Sequence, residues 1–114
     1  MILISGLFSL EPVMLSYLNS SLKLNAEKAK RNSPVLLKPV VHCPLLLITG
    51  MDESNEFKDQ STEIYSYWKH ELSNINLLTV PGKNHYSILE TVAEQDSFVQ
   101  SAIFRLMNIK TQQP

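Results

Sequence analysis

Two short loops of this 114-residue chain carry side chains able to share a proton. Gly50-Met51-Asp52-Glu53-Ser54-Asn55-Glu56 offers a carboxylate, from Asp52 or Glu53, and Pro81-Gly82-Lys83-Asn84-His85 offers an imidazole. A carboxylate bonded to one imidazole nitrogen fixes the tautomer and stabilises the cation formed when the other nitrogen takes a proton. Glu53 and His85 are 32 residues apart, room for one helix and one strand between them. Two plainer readings stay open. An acidic loop after a strand often only caps the next helix, which Asp52, Ser54 or Asn55 could do, and a histidine after Pro-Gly can be a solvated turn residue. His42 and His70 lie far from the acidic loop, and no His/Cys/Asp grouping has metal-ligand spacing, so neither metal nor cofactor is expected.

The elements around these loops decide whether they meet. Residues 44–50, Pro-Leu-Leu-Leu-Ile-Thr-Gly, form an apolar run without polar alternation, the pattern of a strand covered on both faces of a parallel sheet. Phe57, Ser61, Ile64, Tyr65, Trp68 and Leu72 recur at helical spacing, with the aromatics expected in the core. A second strand is expected over Ile75–Val80, stopped by Pro81-Gly82, and a last helix from about Asp96 with Phe98, Val99, Ala102, Ile103, Leu106 and Met107 on one stripe. Upstream, Ile2-Leu3-Ile4 reads as a short strand, 12–22 as a short helix and loop, and Ala26–Arg31 as a helix capped by Asn25. Pro34, Pro39 and Pro44 make 34–44 an extended connector. The class is α/β, with about three parallel strands and flanking helices. In such a sheet, ligands gather at the carboxyl ends of strands, and both candidate loops leave such ends. Ser5, at the end of the first strand, and Tyr86, beside His85, are the expected substrate contacts, though Tyr86, like Phe8, either faces a substrate or packs.

Composition narrows the function classes. Ten Lys+Arg against eleven Asp+Glu give a net charge of −1, with no basic surplus in either half, which argues against electrostatically driven nucleic-acid binding. The longest stretch free of Asp, Glu, Lys and Arg, 39–51, falls short of the roughly 20 apolar residues of a membrane span. The start has no basic n-region or cleavage site, and the single cysteine, Cys43, permits no internal disulfide, so a cytoplasmic location is expected. Cys43 itself precedes the central strand, at the opposite rim from His85, and reads as a small buried apolar residue.

These residues also carry a family resemblance. Ile4-Ser5-Gly6-Leu7-Phe8 with Leu10, Asn32-Ser33-Pro34 and the run 44–50 look like the C-terminal half of an α/β-hydrolase. Glu53-Ser54-Asn55-Glu56-Phe57 with Gln60-Ser61, then Trp68, then Pro81-Gly82-Lys83-Asn84-His85-Tyr86, resemble the arylformamidase (kynurenine formamidase) branch of esterase-like hydrolases. The order of acid and histidine matches the end of the Ser…Asp/Glu…His order of that fold. The resemblance implies that Glu53 occupies the triad-acid position, with Asp52 in reserve, and His85 the triad base. Ser9 departs from the pattern, where an Asp is frequent. The implied architecture is a partial α/β-hydrolase fold, one incomplete domain over 1–110, with 111–114 a disordered tail.

The nucleophile is the missing part. A Gly-x-Ser-x-Gly elbow cannot be written with Gly6, Gly50 and Gly82, and no His-Gly-Gly segment supplies an oxyanion loop. Losing such backbone donors removes roughly 3 kcal/mol or more of transition-state stabilisation. The expectation is therefore a hydrolase fragment inactive alone, acting on a small ester or aryl-formamide substrate only when completed by a separate N-terminal half. The alternatives are a non-catalytic interaction subunit, pairing through its exposed sheet edge with such a half or with a second copy, and a complete small enzyme of another family working with Asp52 or Glu53 and His85 alone.

Overall fold

The computed structural model of the protein describes residues 1–17, 19–39 and 43–108. His42 and the expected tail at 111–114 lie outside them. Among the described residues three strands form one parallel sheet: β1 (Ile2–Ile4), β2 (Leu45–Gly50) and β3 (Ile75–Val80), in the order β1-β2-β3. The register pairs Ile4 with Ile48 and Gly50 with Val80, so the strands end along one rim.

The unbroken apolar run of β2 explains its central place. Side chains alternate across a strand, so Leu45 and Leu47 enter one core while Leu46 and Ile48 enter another. All six residues of β2 are buried. Sequestering each such aliphatic side chain from water is worth roughly 1.5–3 kcal/mol, which pins the strand's register.

One face is covered by α4 (Asn55–Trp68), which delivers Ile64, with Tyr65 and Trp68 half-buried against Phe8, Val35 and Leu72. The other is covered by α5 (Ser87–Ala93) and α6 (Phe98–Leu106), through Ile88, Val99 and Ile103. Between β1 and β2 the described residues make three short α-helices: α1 (Glu11–Met14), α2 (Asn19–Leu22) and α3 (Ala26–Arg31). The side chain of Asn25 accepts the Lys28 N–H and so caps α3.

Several elements differ from the sequence reading. The stretch 12–22 holds two one-turn helices. The expected extended connector opens with a 3₁₀ turn, Pro34–Leu36, because Val35 is drawn into the core and its N–H donates to Phe8 O at 2.9 Å. Helix α5 was not expected at all. Cys43 is half-buried rather than buried, since it stands at the open amino rim of the sheet.

Two polar clamps fix the chain that follows β1. Gln60, buried on α4, accepts the N–H groups of Phe8 and Ser9 at 2.8 and 2.7 Å and donates to Ser9 O at 2.7 Å. Ser33 Oγ accepts the Leu10 N–H at 2.8 Å and donates to Ala29 O. Thr49 and Ser61 bond through their hydroxyls at 2.8 Å and tie α4 to β2. Among the described residues no buried side-chain polar atom lacks a partner.

Candidate active site

The turn after β2 begins at a residue with no side chain, and the packing explains why. A Cβ built on Gly50 would lie 2.2 Å from Lys83 O, so the backbone of the β3–α5 loop occupies that space. The contact is then stitched by main-chain bonds: Met51 N–H donates to Val80 O at 2.8 Å and Asp52 N–H to Lys83 O at 3.0 Å. The acidic loop and the histidine loop are thus held together before any side chain is considered.

The histidine loop has its own lock. Gly82, at φ 73°, takes the left-handed turn that follows Pro81. Asn84 Oδ1 accepts the N–H groups of Tyr86 and Ser87 at 2.9 and 2.8 Å, and Ser87 Oγ accepts the Asn84 N–H at 2.8 Å. This reciprocal capping satisfies the free N–H groups at the start of α5 and sets the direction in which His85 leaves the chain.

Glu53 and His85 meet at the carboxyl rim. His85 Nδ1 lies 2.8 Å from Glu53 Oε1, with the carboxyl side chain fully buried and the imidazole 44% exposed. The second carboxyl oxygen, Oε2, accepts the Ser5 hydroxyl and the Gly50 N–H, both at 2.6 Å. Burial pushes this carboxyl's pKa up, but the bonds from Ser5, Gly50 and His85, with the charge of the imidazole, outweigh it and hold the group below the ordinary glutamate range. Glu53 is therefore ionised at neutral pH and only accepts. Nδ1 must carry the proton, which leaves the lone pair of the neutral ring on Nε2.

The imidazole is also held by its faces. Phe57, in the first turn of α4, stacks on it with centroids 4.4 Å apart and planes at 24°, and Tyr86 meets it edge-on at 5.5 Å. A shallow cleft of about 330 Å³ opens here, lined by Glu53, Phe57, Asn84, His85 and Tyr86.

The structure thus brings Glu53, His85 and Ser5 together and leaves Asp52 exposed in the turn. The Ser5 hydroxyl, expected as a substrate contact, donates its proton to Glu53 Oε2. Tyr86 is 81% exposed at the mouth of the cleft, whereas Phe8 packs in the core. Ser9 is engaged through its backbone by Gln60. Ser54 is the N-cap residue of α4, but its side chain makes no capping bond. His70 is exposed, and among the described residues no group of three or more His, Cys, Asp or Glu side chains could hold a metal ion. No helix of the described residues is long and apolar enough to cross a membrane. The stacking of Phe57 escaped sequence reasoning, although its place one turn after the acid was a usable signal.

Comparison with known proteins agrees with this architecture. No family model matches the chain. A kynurenine formamidase of Salmo salar is 30% identical over 111 residues, and one of Danio rerio is 26% identical over 110; each alignment covers 92% of this chain. The chain spans 38% of the length of these curated relatives. Among solved structures, a candidate thioesterase from Silicibacter sp. TM1040 superposes with a TM-score of 0.74 at 24% identity, over 90% of this chain and 37% of that one. The chain resembles the arylformamidase-like hydrolases, and its fold is a partial α/β-hydrolase-like sheet with flanking helices.

Proposed function

We propose that this chain supplies the acid and the base of a hydrolase triad, Glu53 and His85, for cleavage of an aryl-formamide or a small carboxylic ester. The observation that carries this reading is the 2.8 Å pairing of His85 Nδ1 with a buried, doubly anchored carboxylate, which leaves Nε2 as the basic nitrogen. A serine hydroxyl placed against Nε2 loses its proton as it attacks the substrate carbonyl. The imidazolium so formed is stabilised by Glu53 and returns the proton to the departing amine or alcohol. Water then cleaves the acyl-serine by the same proton relay in reverse.

The attacking serine and the oxyanion donors are proposed to come from polypeptide outside these 114 residues, an N-terminal half docked along the outer edge of β1. Support comes from the sheet order, which puts β1 at an edge with its carboxyl end beside Glu53, and from the share of the relatives' length that the chain spans. The chain alone is then a fragment with negligible turnover. A second reading has specific support in the same edge: a non-catalytic subunit that pairs through β1, with another copy or with that half, since an unpaired edge is a template for strand addition.

The test uses p-nitrophenyl acetate and a formanilide. The chain alone should give no turnover above buffer. Mixed with a polypeptide carrying the Gly-x-Ser-x-Gly segment of a kynurenine formamidase, it should give turnover that falls by roughly 10²-fold or more in His85→Ala. Clear His85-dependent turnover by the chain alone sinks the fragment reading. A stable self-association on size exclusion, with no turnover in the mixture, favours the non-catalytic subunit.

A further inference from the structure

Ser5 combines three features that the proposed proton relay does not itself require. It ends β1 in the left-handed region, at φ 50°, a conformation that L side chains with a Cβ rarely adopt. It is buried, at 8% exposure, and its N–H continues the sheet by donating to Ile48 O at 2.8 Å. Its hydroxyl reaches across 48 residues of sequence to Glu53 Oε2 at 2.6 Å. Glycine would relax this backbone but has no hydroxyl to give. Lys23, Asp96 and Asn108 share this backbone region but are exposed; of the four, Ser5 alone is buried, with its side chain on the acid.

We propose that Ser5 is a positioning residue for the acid: its hydroxyl, delivered by the left-handed turn at the end of β1, holds Glu53 Oε2 so that Oε1 is left to His85 Nδ1. A glutamate side chain has three rotatable bonds, and one contact to an imidazole would let the carboxylate swing and exchange its oxygens. Two donors from two different segments, Ser5 Oγ just after β1 and Gly50 N–H at the end of β2, lock one oxygen and thereby orient the other. The lowered proton affinity of Glu53 agrees, since the Ser5 bond is the foremost of the contacts that favour its charged form. The groups facing this carboxyl are Ser5 after β1, the Gly50 N–H of β2 and His85 after β3, while the adjacent acid, Asp52, is exposed. Gln60 on α4, by clamping Phe8 and Ser9, keeps the turn that presents Ser5 in place.

This inference deepens the proposed triad and rests on that reading for its catalytic meaning, but its test needs no turnover. Ser5→Gly removes the hydroxyl while relieving the backbone, so the fold is retained; Ser5→Ala removes the hydroxyl and keeps the strain; Ser5→Thr keeps the hydroxyl. The side-chain carboxyl carbon of Glu53 and the imidazole nitrogens of His85 are followed by NMR in the resting chain. In Ser5→Gly the titration midpoint of Glu53 should rise by about one pH unit, the loss expected for one hydrogen bond to a charged acceptor. The Nδ1 proton of His85 should exchange faster with water, while the urea midpoint stays close to that of the unaltered chain. Ser5→Thr should restore both signals at a lower urea midpoint, since a β-branched residue is strained further at this φ, and Ser5→Ala should show the same changes as Ser5→Gly with a lower urea midpoint. An unchanged Glu53 midpoint and Nδ1 proton in folded Ser5→Gly overturn the proposal and leave the Glu53–His85 reading intact. Loss of activity in the reconstituted mixture without these spectral changes also counts against it.

Discussion

The two rims of the sheet are built from the same three strands, yet they are held by different means. At the amino rim the contacts are main-chain: the Met1 ammonium donates to Pro44 O at 2.7 Å, Leu45 N–H to Asn74 O and Leu46 N–H to Met1 O, both at 2.9 Å. Beside them Phe98, Arg105, Leu46 and Leu78 line an open hollow. At the carboxyl rim similar main-chain stitches are overlaid by a buried carboxylate with three partners, a left-handed serine and a glycine pressed against a carbonyl. Main-chain bonds suffice to close a sheet end, as the amino rim demonstrates. Burying a charge costs several kcal/mol unless it is fully bonded, so the carboxyl rim is more elaborate than folding requires. That surplus is what the proposed triad reading rests on.

The sharpest way to break the contrast is to disturb the closest approach at the carboxyl rim. Gly50→Ala should cost about 3 kcal/mol, the upper range for overpacking, because the new methyl meets backbone, which cannot rotate away as a side chain does. Urea denaturation measures the loss, and the Nδ1 proton signal of His85 should weaken with it as the two loops part. A Gly50→Ala variant as stable as the unaltered chain, with that signal intact, means the loops are not held by this contact.

Next comes the buried charge. Glu53→Gln should cost about 2 kcal/mol near neutral pH, since it leaves charge-assisted bonds from Ser5 and Gly50 weakened and Nδ1 without a carboxylate. The pH dependence carries a definite sign. The folded-state pKa of Glu53 is lowered, so the stability it contributes is present above the unfolded pKa and is lost as pH falls through the folded one. Urea midpoints measured through the acid range should therefore fall less steeply for Glu53→Gln than for the unaltered chain. Parallel curves would put the acid limb elsewhere.

How far these rims could be read in the sequence depends on how local each signal is. The four-residue apolar core of β2, Leu45 to Ile48, announces double-sided burial by composition alone. The Asn25 cap of α3 is a contact between residues three apart, and it was legible for that reason. Helix α5 was missed because Pro81-Gly82-Lys83-Asn84 reads as loop, although Asn84 and Ser87 form the reciprocal cap that starts it. The Pro34–Leu36 turn depends on Val35 finding Phe8, a contact that prolines at 34 and 39 do not encode. At the site, the spacing of the two loops admitted either Asp52 or Glu53. Which of them faces the imidazole is set by the turn geometry that Gly50 and Lys83 impose. The Ser5 contact spans 48 residues and has no local signature.

A finer probe asks whether the carboxyl rim holds His85 by its face as well as its edge. Phe57→Ala removes the stacked ring and should cost about 1 kcal/mol, the usual worth of an aromatic pair. The ring protons of His85 should move downfield as the phenyl ring current is lost, while the bond from Nδ1 to Glu53 persists. If the Nδ1 proton is lost as well, the stacking is what keeps the imidazole in reach of the carboxylate, and the rim depends on packing more than on charge.

The smallest effect belongs to the opposite end of β2. Cys43 is half-buried and precedes the strand whose far end carries Gly50, so a full strand of six residues separates it from the site. Cys43→Ala should change the stability measured by urea unfolding by no more than about 0.5 kcal/mol, as expected for a site outside the core. It should leave the spectra of Glu53 and His85 unmoved, because the strand between is locked by two cores that do not transmit small shifts at its ends. A displacement of the His85 signals by this change would mean that the rims share one strained strand and are not independent. The contrast between a rim closed by main chain and a rim built for a charge would then lose its footing, since a disturbance at one would be felt as geometry at the other.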